Sequence, residues 1–236
     1  MLGKRRKKTD LPAVCAVIVA AGSSRRMGGK LLLEIDGVPV LARTLSAFQK
    51  CAAIRDIVLV CREQDIMPYT ELAKAFSIDK LCTVTRGGET RTESVLAGIT
   101  AAPENAVLVA VHDGARPLVS EAVITEAVTT AAACGAAAPV VPVKDSIKRI
   151  KDGNIAADVA RDTLAAVQTP QVFRKDLLRR ALTSAAERGY SFTDDCAAVE
   201  SLGTIVKATH GSYQNIKITT PEDILVAEAL LTREDK

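Results

Sequence analysis

Aromatic residues are scarce in this chain of 236 residues, which has no Trp, three Tyr and four Phe. Because aromatic side chains make up only 3% of the sequence, stacking of bases on rings, a common means of holding single strands, is not favoured. The net charge of +3 is also too small for a nucleic-acid coat. We therefore expect a small-molecule partner and no nucleic acid.

Long apolar runs and paired cysteine motifs are missing too. No apolar stretch approaches the ~18 residues of a membrane span, and the basic start of the chain leads into Thr9, Asp10 and Pro12 rather than an apolar signal segment. The six cysteines form no CxxC pair, and most lie in apolar runs where a free thiol packs as a small hydrophobic group. These absences predict no membrane contact, a reducing compartment and a cytoplasmic location. The cysteines are Cys15, Cys51, Cys61, Cys82, Cys134 and Cys196.

The composition that is present, 48% hydrophobic and 25% charged residues, is typical of a globular protein. A chain of this length can bury one large core, and we expect a single domain over residues 13–236. Residues 1–12 are expected to form a basic, disordered tail, because the cationic run at 4–8 has no aromatic residues beside it. No function is assigned to this tail.

Short β-branched runs alternate with amphipathic stretches along the first 141 residues. Runs with apolar residues on both faces predict buried strands, and the stretches between them have helical spacing and start signals such as Pro39 and Ser120. This alternation predicts an α/β fold with a mostly parallel sheet between layers of helices. The expected strands are residues 14–19, 57–60, 81–85, 106–111 and 136–141, and the expected helices are 39–50, 69–76, 92–101 and 120–134.

The alternation stops after residue 141. Residues 142–161 are polar and centre on Asp152 and Gly153, a pair typical of a hairpin turn, so we expect a projecting β-arm over about residues 142–163. Helices are expected again at 174–188 and around 194–201, followed by strands at 204–208 and 215–218. A final helix is predicted after Thr220 and Pro221, which supply a cap and a first-turn proline.

The loop after the first strand, AAGSSRRMGGK, combines small residues with cations. Gly22, Ser23 and Ser24 allow backbone N–H groups to approach a ligand, and Arg26 and Lys30 add positive charge, so the loop is suited to a polyphosphate. It is neither a P-loop, since Leu31 follows Gly29 and Lys30, nor a dinucleotide-binding loop, since GxGxxG is absent. On its own the motif is equally consistent with a solvated surface loop.

Three further segments are expected to reach the same edge of the sheet. The first segment, TRGGETRTESVLAG (85–98), places two glycines before Arg91 and Ser94 at a helix start. The second, LVAVHDGARP (108–117), ends a buried strand with Asp113 and Arg116. The third, NIKITTPED (215–223), places Lys217 in a short apolar run. Backbone donors at a helix start together with cations favour phosphate binding.

The segments AAGSSRRM, GGETRTESVLAG, HDGARP, TPQVF and NIKITTPED, in this order, resemble the 2-C-methyl-D-erythritol 4-phosphate cytidylyltransferase family of non-mevalonate isoprenoid synthesis. The resemblance covers the chain from about residue 14 to the last helix. It implies a Rossmann-like nucleotidyltransferase fold with a mostly parallel twisted sheet, helices on both faces and a projecting β-arm. It also implies a homodimer whose arms embrace, with Mg²⁺ as cofactor and CTP and a methylerythritol phosphate as substrates, pyrophosphate being released.

The resemblance assigns roles position by position. It implies that Arg26 and Lys30 stabilise charge at the α-phosphate, that Asp113 holds Mg²⁺, and that Lys217 and Arg161 position the acceptor phosphate. The implied nucleotide-binding residues are Ala20, Ala21, Gly22, Ser23, Gly88, Arg91, Ser94 and Ala115, and the implied acceptor-binding residues are Arg116, Ser146, Arg161, Thr169 and Thr193. If the arm crosses a dimer, Ser146 and Arg161 serve the neighbouring site.

The scarcity of histidine agrees with this chemistry. A phosphate monoester with a second pKa of about 6 is mostly dianionic at neutral pH and needs no base, so neither His112 nor His210 is required as one. Bringing a dianion to a triphosphate calls instead for cations that neutralise and align.

The chain departs from the family pattern at three places. The first loop is shorter and reads Gly28, Gly29 and Lys30 where the family usually has a Pro-Lys-Gln stretch. Ser146 stands where threonine is common, and Gly114 stands where alanine is common. The main alternative is a ribitol-5-phosphate cytidylyltransferase of the same fold. A silent nucleotide sensor is disfavoured because the cations and the acidic residue are all present.

Overall fold

An eight-stranded sheet forms the centre of the computed structural model, which describes residues 11–22, 29–190 and 192–232. The strands of the chain are β1 (Val14–Val19), β2 (Glu34–Ile35), β3 (Val38–Pro39), β4 (Asp56–Cys61), β5 (Leu81–Arg86), β6 (Leu108–Asp113), β7 (Ala136–Pro142), β8 (Lys148–Lys151), β9 (Asn154–Asp158), β10 (Ala165–Val167), β11 (Gln171–Arg174) and β12 (Lys207–His210). The helices are α1 (Val40–Lys50), α2 (Ile66–Ala75), α3 (Arg91–Ala101), α4 (Glu121–Cys134), α5 (Lys175–Glu187), α6 (Asp195–Glu200) and α7 (Glu222–Leu231).

The central sheet runs in the order β10-β7-β11-β6-β1-β4-β5, with β12 paired to β7. Strand β1 pairs in parallel with both β4 and β6, and β5 and β12 also pair in parallel with their neighbours. Two short strands, β10 and β11, run antiparallel. The mostly parallel sheet predicted from the sequence is confirmed.

Each face of the sheet carries its own apolar cluster. In β1 the side chains of Val14, Ala16 and Ile18 belong to one cluster, with α1, α2, α4 and α7, whereas Cys15 and Val17 belong to the other, with α3, α5 and α6. The alternation arises because successive side chains of a strand point to opposite faces. Helices on both faces therefore bury both faces of the parallel strands.

The helices that lead to the site begin at polar caps. Thr90 and Glu93 form a reciprocal capping box at the start of α3, and the Ser120 side chain accepts a hydrogen bond from the backbone N–H of Val123 at the start of α4. These caps satisfy backbone N–H groups that would otherwise lack a partner. They fix where each helix leaves the strand that precedes it.

The β-arm is a hairpin of β8 and β9, as the sequence predicts. Asp152 and Gly153 both have positive φ angles, 50° and 78°, which is the backbone of a type I′ hairpin turn. Every residue of β8 and β9 is exposed, including Ile150 and Ile155. The arm therefore gains little from packing within its own chain.

Several local predictions were wrong. Residues 215–218 do not form a strand, because their buried contacts are made by individual hydrogen bonds with other segments rather than by a strand ladder. The strand predicted at 106–111 is β6, which begins and ends two residues later. The strand predicted at 204–208 is β12, which begins three residues later and ends two residues later. Strands β2, β3, β10 and β11 were not predicted, since runs of two to four residues show no periodicity.

Two further findings bear on the expectations above. Within the described ranges, no helix is both long and apolar enough to cross a membrane. The basic run at 4–8 and the loop residues Ser23 and Arg26 lie outside the described residues.

Candidate active site

The carboxyl ends of β1 and β6 meet at one edge of the sheet. Val19 and Asp113, the last residues of the two strands, are directly paired in the register, and the Gly114 N–H donates to the Val19 carbonyl over 2.9 Å. The loop that starts at Ala20 therefore emerges beside Asp113. Clefts at this edge of a parallel sheet are where such folds bind ligands.

The glycines before α3 bring a second segment to the same edge. A Cβ atom built on Gly87 would lie 2.7 Å from Ala21 Cβ and 2.7 Å from Ser94 Oγ, so only glycine allows this approach. The Ser94 side chain is buried and donates to the Thr90 carbonyl over 3.0 Å. The structure thus brings together the predicted nucleotide-binding segments around Ala21, Gly88 and Ser94.

Two cations converge on the carboxylate of Asp113. Lys217 Nζ lies 3.0 Å from Asp113 Oδ2, and Arg116 Nε lies 3.3 Å from the same oxygen. The side chains of Asp113 and Arg116 are 14% and 13% exposed, whereas that of Lys217 is 44% exposed. Asp113 and Arg116 therefore form the inner, mostly buried part of the cluster, and the ammonium group of Lys217 faces solvent.

The electrostatics of this cluster keep Asp113 ionised. Burial by itself would raise the pKa of Asp113, but Lys217, Arg116 and Arg91 outweigh it and lower the pKa from 3.8 to about 2. At neutral pH the group is a carboxylate. Both ion pairs use Oδ2, and neither uses Oδ1.

The segment that carries Lys217 is held on both sides of that residue. Arg116 Nη1 donates to the Asn215 carbonyl over 2.7 Å, and the Ile218 N–H donates to the Ala115 carbonyl over 2.8 Å. Lys30 Nζ donates to the Ile218 carbonyl over 3.0 Å. Lys30 and Ala115, predicted from different motifs, therefore both lie beside the Lys217 segment.

Thr169 and His112 lie beneath Asp113, away from solvent. His112 is fully buried, packs against the Phe48 ring and contacts Thr169 Oγ1 through Nδ1 over 2.9 Å. Burial lowers the pKa of His112 from 6.5 to about 4, so the imidazole is neutral at physiological pH. Thr169 was expected to bind the acceptor, but its hydroxyl is buried and already engaged.

Arg91 makes a bidentate ion pair with Asp195. The two bonds measure 2.7 and 2.8 Å, and the Asp195 side chain is 1% exposed. Gln171 Oε1 also accepts from the backbone N–H of Asp195, over 3.0 Å. The ion pair therefore connects the start of α3 to the start of α6. Thr193, two residues before α6, is exposed.

Ser146 and Arg161 lie apart from this cluster. Ser146 is exposed at the start of the arm, and Arg161 Nη1 donates to the Lys144 carbonyl over 2.6 Å at the base of the arm. Among the residues that the structure describes, no hydrogen bond or ion pair joins Arg161 to Lys217 or Asp113. The expectation that Ser146 and Arg161 serve the neighbouring site of a dimer stays a prediction.

Besides Asp195 and Gln171, three buried polar residues behind Asp113 were not assigned a role from the sequence. They are His112, which was considered only as a base, Gln168 and Asn215. The only available signal was a polar residue at a position that should be apolar, such as His112 after four apolar residues of β6. That signal does not reveal which partner each residue meets.

No group of three or more His, Cys, Asp or Glu side chains that could hold a metal occurs within residues 11–22, 29–190 and 192–232. Asp113 offers one carboxylate oxygen, Oδ1, outside its two ion pairs. Such a donor set fits Mg²⁺, which keeps several waters and is commonly bound by one carboxylate and substrate phosphates.

Comparisons with known proteins agree on one family. The family model described as 2-C-methyl-D-erythritol 4-phosphate cytidylyltransferase matches residues 14–233. A protein of that name from Dehalococcoides mccartyi is 46% identical, over 93% of this chain and 96% of its own. One from Bacillus licheniformis is 44% identical, over 93% of this chain and 96% of its own.

Solved structures give the same result. The 4-diphosphocytidyl-2C-methyl-D-erythritol synthase from Anaerococcus prevotii superposes with a TM-score of 0.84 at 32% identity, covering 94% of this chain and 97% of that one. The 2-C-methyl-D-erythritol 4-phosphate cytidylyltransferase from Thermus thermophilus gives a TM-score of 0.78 at 32% identity, covering 92% of this chain and 98% of that one.

Proposed function

The chain belongs to the 2-C-methyl-D-erythritol 4-phosphate cytidylyltransferase family, and on that premise we propose that Asp113, Arg116 and Lys217 carry its transfer chemistry. The enzyme transfers CMP from CTP to 2-C-methyl-D-erythritol 4-phosphate in isoprenoid precursor synthesis. An oxygen of the acceptor phosphate attacks the α-phosphorus of CTP, the new P–O bond forms as the bond to the β-phosphate breaks, and pyrophosphate leaves.

Lys217 and Arg116 align and neutralise the two phosphates. The acceptor phosphate is a dianion at neutral pH and needs no base, so the barrier comes from bringing like charges together. The ammonium group of Lys217 faces solvent beside Asp113 and can bind the acceptor phosphate while its position is held by the carboxylate. Lys30 and Arg26 add cations on the nucleotide side, Lys30 from its position beside Ile218.

Asp113 is the residue that would hold Mg²⁺. Its pKa of about 2 keeps a carboxylate available, and Oδ1 lies outside the ion pairs. When bound, the ion supplies positive charge that offsets the triphosphate.

Backbone groups bind the nucleotide. Ala20, Ala21 and Gly22 on one side and Gly88, Ser94 and Ala115 on the other form the cradle, and the close approach at Gly87 supports this arrangement. Ser23 is assigned to the nucleotide from the sequence. Arg91 acts on the nucleotide site through its position at the start of α3, because its guanidinium is paired with Asp195. The scarcity of aromatic residues favours recognition of the base by main-chain groups.

A homodimer completes the acceptor site. A two-stranded hairpin is marginal alone, and the exposed Ile150 and Ile155 on the arm supply apolar surface for a second copy of the chain. Ser146 and Arg161 then reach the acceptor bound by the neighbour, with Arg116, Thr193 and the Thr169 segment on the other side. The free state of the described cysteines is in keeping with a cytoplasmic location.

The contact between Lys217 and Asp113, from segments about a hundred residues apart, is the observation that carries the proposal. The test is pyrophosphate release with each nucleoside triphosphate against methylerythritol phosphate and ribitol 5-phosphate. Turnover with CTP and methylerythritol phosphate is expected, in line with the names of the relatives. A preference for ribitol 5-phosphate would select the alternative acceptor, and indifference to CTP would overturn the assignment.

A further inference from the structure

A buried polar chain lies directly behind the Asp113 and Lys217 pair. It starts at His112, passes through Thr169 and ends at Asn215, and these residues are at most 4% exposed. It joins three segments that are distant in sequence: the end of β6, the turn before β11 and the segment of Lys217.

The two ring contacts of His112 fix its tautomer. Thr169 Oγ1 accepts from the Asp113 N–H over 3.2 Å and lies 2.9 Å from His112 Nδ1, to which its hydroxyl can donate. His112 Nε2 lies 3.2 Å from the Arg116 carbonyl, which can only accept. His112 therefore carries its proton on Nε2, and Nδ1 accepts from Thr169.

Asn215 fixes the other end of the chain. Its Nδ2 donates to the Thr169 carbonyl over 2.9 Å and to Gln168 Oε1 over 3.2 Å. Both partners are acceptors, which determines the orientation of the amide. The main-chain carbonyl of Asn215 accepts from Arg116, which also binds Asp113.

The amide of Asn215 has one satisfied and one unsatisfied end. Its Oδ1 is buried with no hydrogen-bond partner among the described residues, and such an acceptor costs about 1–3 kcal/mol. Its Nδ2 satisfies a main-chain carbonyl and the Gln168 side chain, and an apolar residue here would leave both acceptors without this donor. The amide therefore links the segment of Lys217 to the turn that carries Thr169.

We propose that the chain of His112, Thr169 and Asn215 is a positioning network that sets the distance between Asp113 and Lys217. The proposal rests on the roles given above to those two charged residues. Thr169 acts through the Asp113 N–H and the His112 ring, and its hydroxyl does not contact the acceptor. Small displacements of reacting groups are costly, since about 1 Å can reduce a rate by about 10²-fold.

The principal test compares two buried threonines in the purified full-length enzyme. Thr169→Val removes the hydroxyl from the network, whereas Thr209→Val removes a buried hydroxyl that has no partner among the described residues. We expect Thr169→Val to lower kcat by about 10–100-fold with less than a threefold change in KM for either substrate. Thr169→Ser should recover most of the loss, and Thr209→Val should keep the wild-type kcat.

Nitrogen NMR of the enzyme without substrates gives a second readout. The chain has two histidines, so the signals of the buried His112 and the exposed His210 can be told apart by one substitution of His210. We expect wild-type His112 to be protonated on Nε2, with its Nδ1 signal shifted in Thr169→Val and unchanged in Thr209→Val.

The outcomes separate the network from the proposed function. A His112 ring protonated on Nδ1, or a Thr169→Val variant that keeps its kcat, overturns the network. A variant that raises only the KM of the acceptor overturns it too, because that result indicates a direct substrate contact. If instead Lys217→Ala keeps full activity, the roles of the charged residues themselves are wrong.

Discussion

The sheet edge around Asp113 and the β-arm differ in what holds their side chains in place. At the edge, Asp113 and Arg116 are mostly buried and are linked to Lys217 through ion pairs and carbonyl contacts. On the arm, every strand residue is exposed, and Arg161 donates to the nearby Lys144 carbonyl of the same segment. One chain thus preorganises the charged half of the site, whereas packing within the described residues of the same chain does not hold the strands of the arm.

The largest effects are expected from the charged pair at the edge. Lys217→Ala and Asp113→Asn should each lower kcat by about 10²–10³-fold, as when one group that stabilises developing charge is lost. Circular dichroism should show both variants folded. Lys74→Ala, which removes an exposed lysine of α2, is the matched control and should retain wild-type kcat. Full activity in either edge variant would refute their roles.

The buried ion pair between Arg91 and Asp195 should matter more for stability than an exposed ion pair elsewhere on the sheet. Arg91→Leu leaves the carboxylate of Asp195 buried without its partner, so we expect a loss of about 3 kcal/mol in the free energy of unfolding. Arg86→Leu removes an exposed pair with Glu63 and should cost less than about 1 kcal/mol. Urea denaturation measures both, and equal losses would show that the buried pair is no more important for stability than the exposed one.

Lowering the pH should destabilise the folded protein through protonation of Asp113. Its pKa is lowered from 3.8 to about 2 in the folded state, so the unfolded chain binds the proton more readily. The resulting stabilisation, about 2 kcal/mol, is present above pH 4 and is lost as the pH falls toward 2. The stability difference between the wild type and Asp113→Asn should shrink over this range in urea titrations.

The arm is tested by mixing two inactive variants. The free energy of unfolding of Arg161→Ala should lie within about 0.5 kcal/mol of the wild-type value, but the variant should lose activity. If arms cross a dimer, equal amounts of Arg161→Ala and Lys217→Ala should regain about a quarter of wild-type turnover, because half the dimers are mixed and each has one intact site. Mixing Asp113→Asn with Lys217→Ala should restore nothing, since both defects lie at the edge. Failure of the first mixture to recover would place Arg161 in the site of its own chain.

Strong patterns in the sequence predicted the fold well where a segment is long and apolar. The residue types alone predict the strand formed by the six apolar residues of β1. They also predict the turn of the arm at Asp152 and Gly153. The strand predicted at 215–218 shows the limit, because Ile216 and Ile218 resemble a strand while hydrogen bonds from Arg116 and Asn215 hold the segment in an irregular form. Local pattern could not reveal those distant partners.

The candidate site was predicted in part for the same reason. The motifs identified Asp113, Arg116 and Lys217, and the structure brings these three together. The engagement of Arg91 with Asp195 and of Thr169 with His112 could not be read from the motifs, since each pair joins residues more than fifty positions apart.

The two phosphates are proposed to meet beside Asp113 and Lys217, and a crystal structure of the enzyme with CTP and Mg²⁺ would show whether they do. We expect the triphosphate between segments 20–22 and 88–94, with the metal on Asp113 and with Lys217 facing the α-phosphate across the position of the acceptor. A triphosphate bound elsewhere on the chain, with Asp113 and Lys217 still paired and out of its reach, would contradict the proposal.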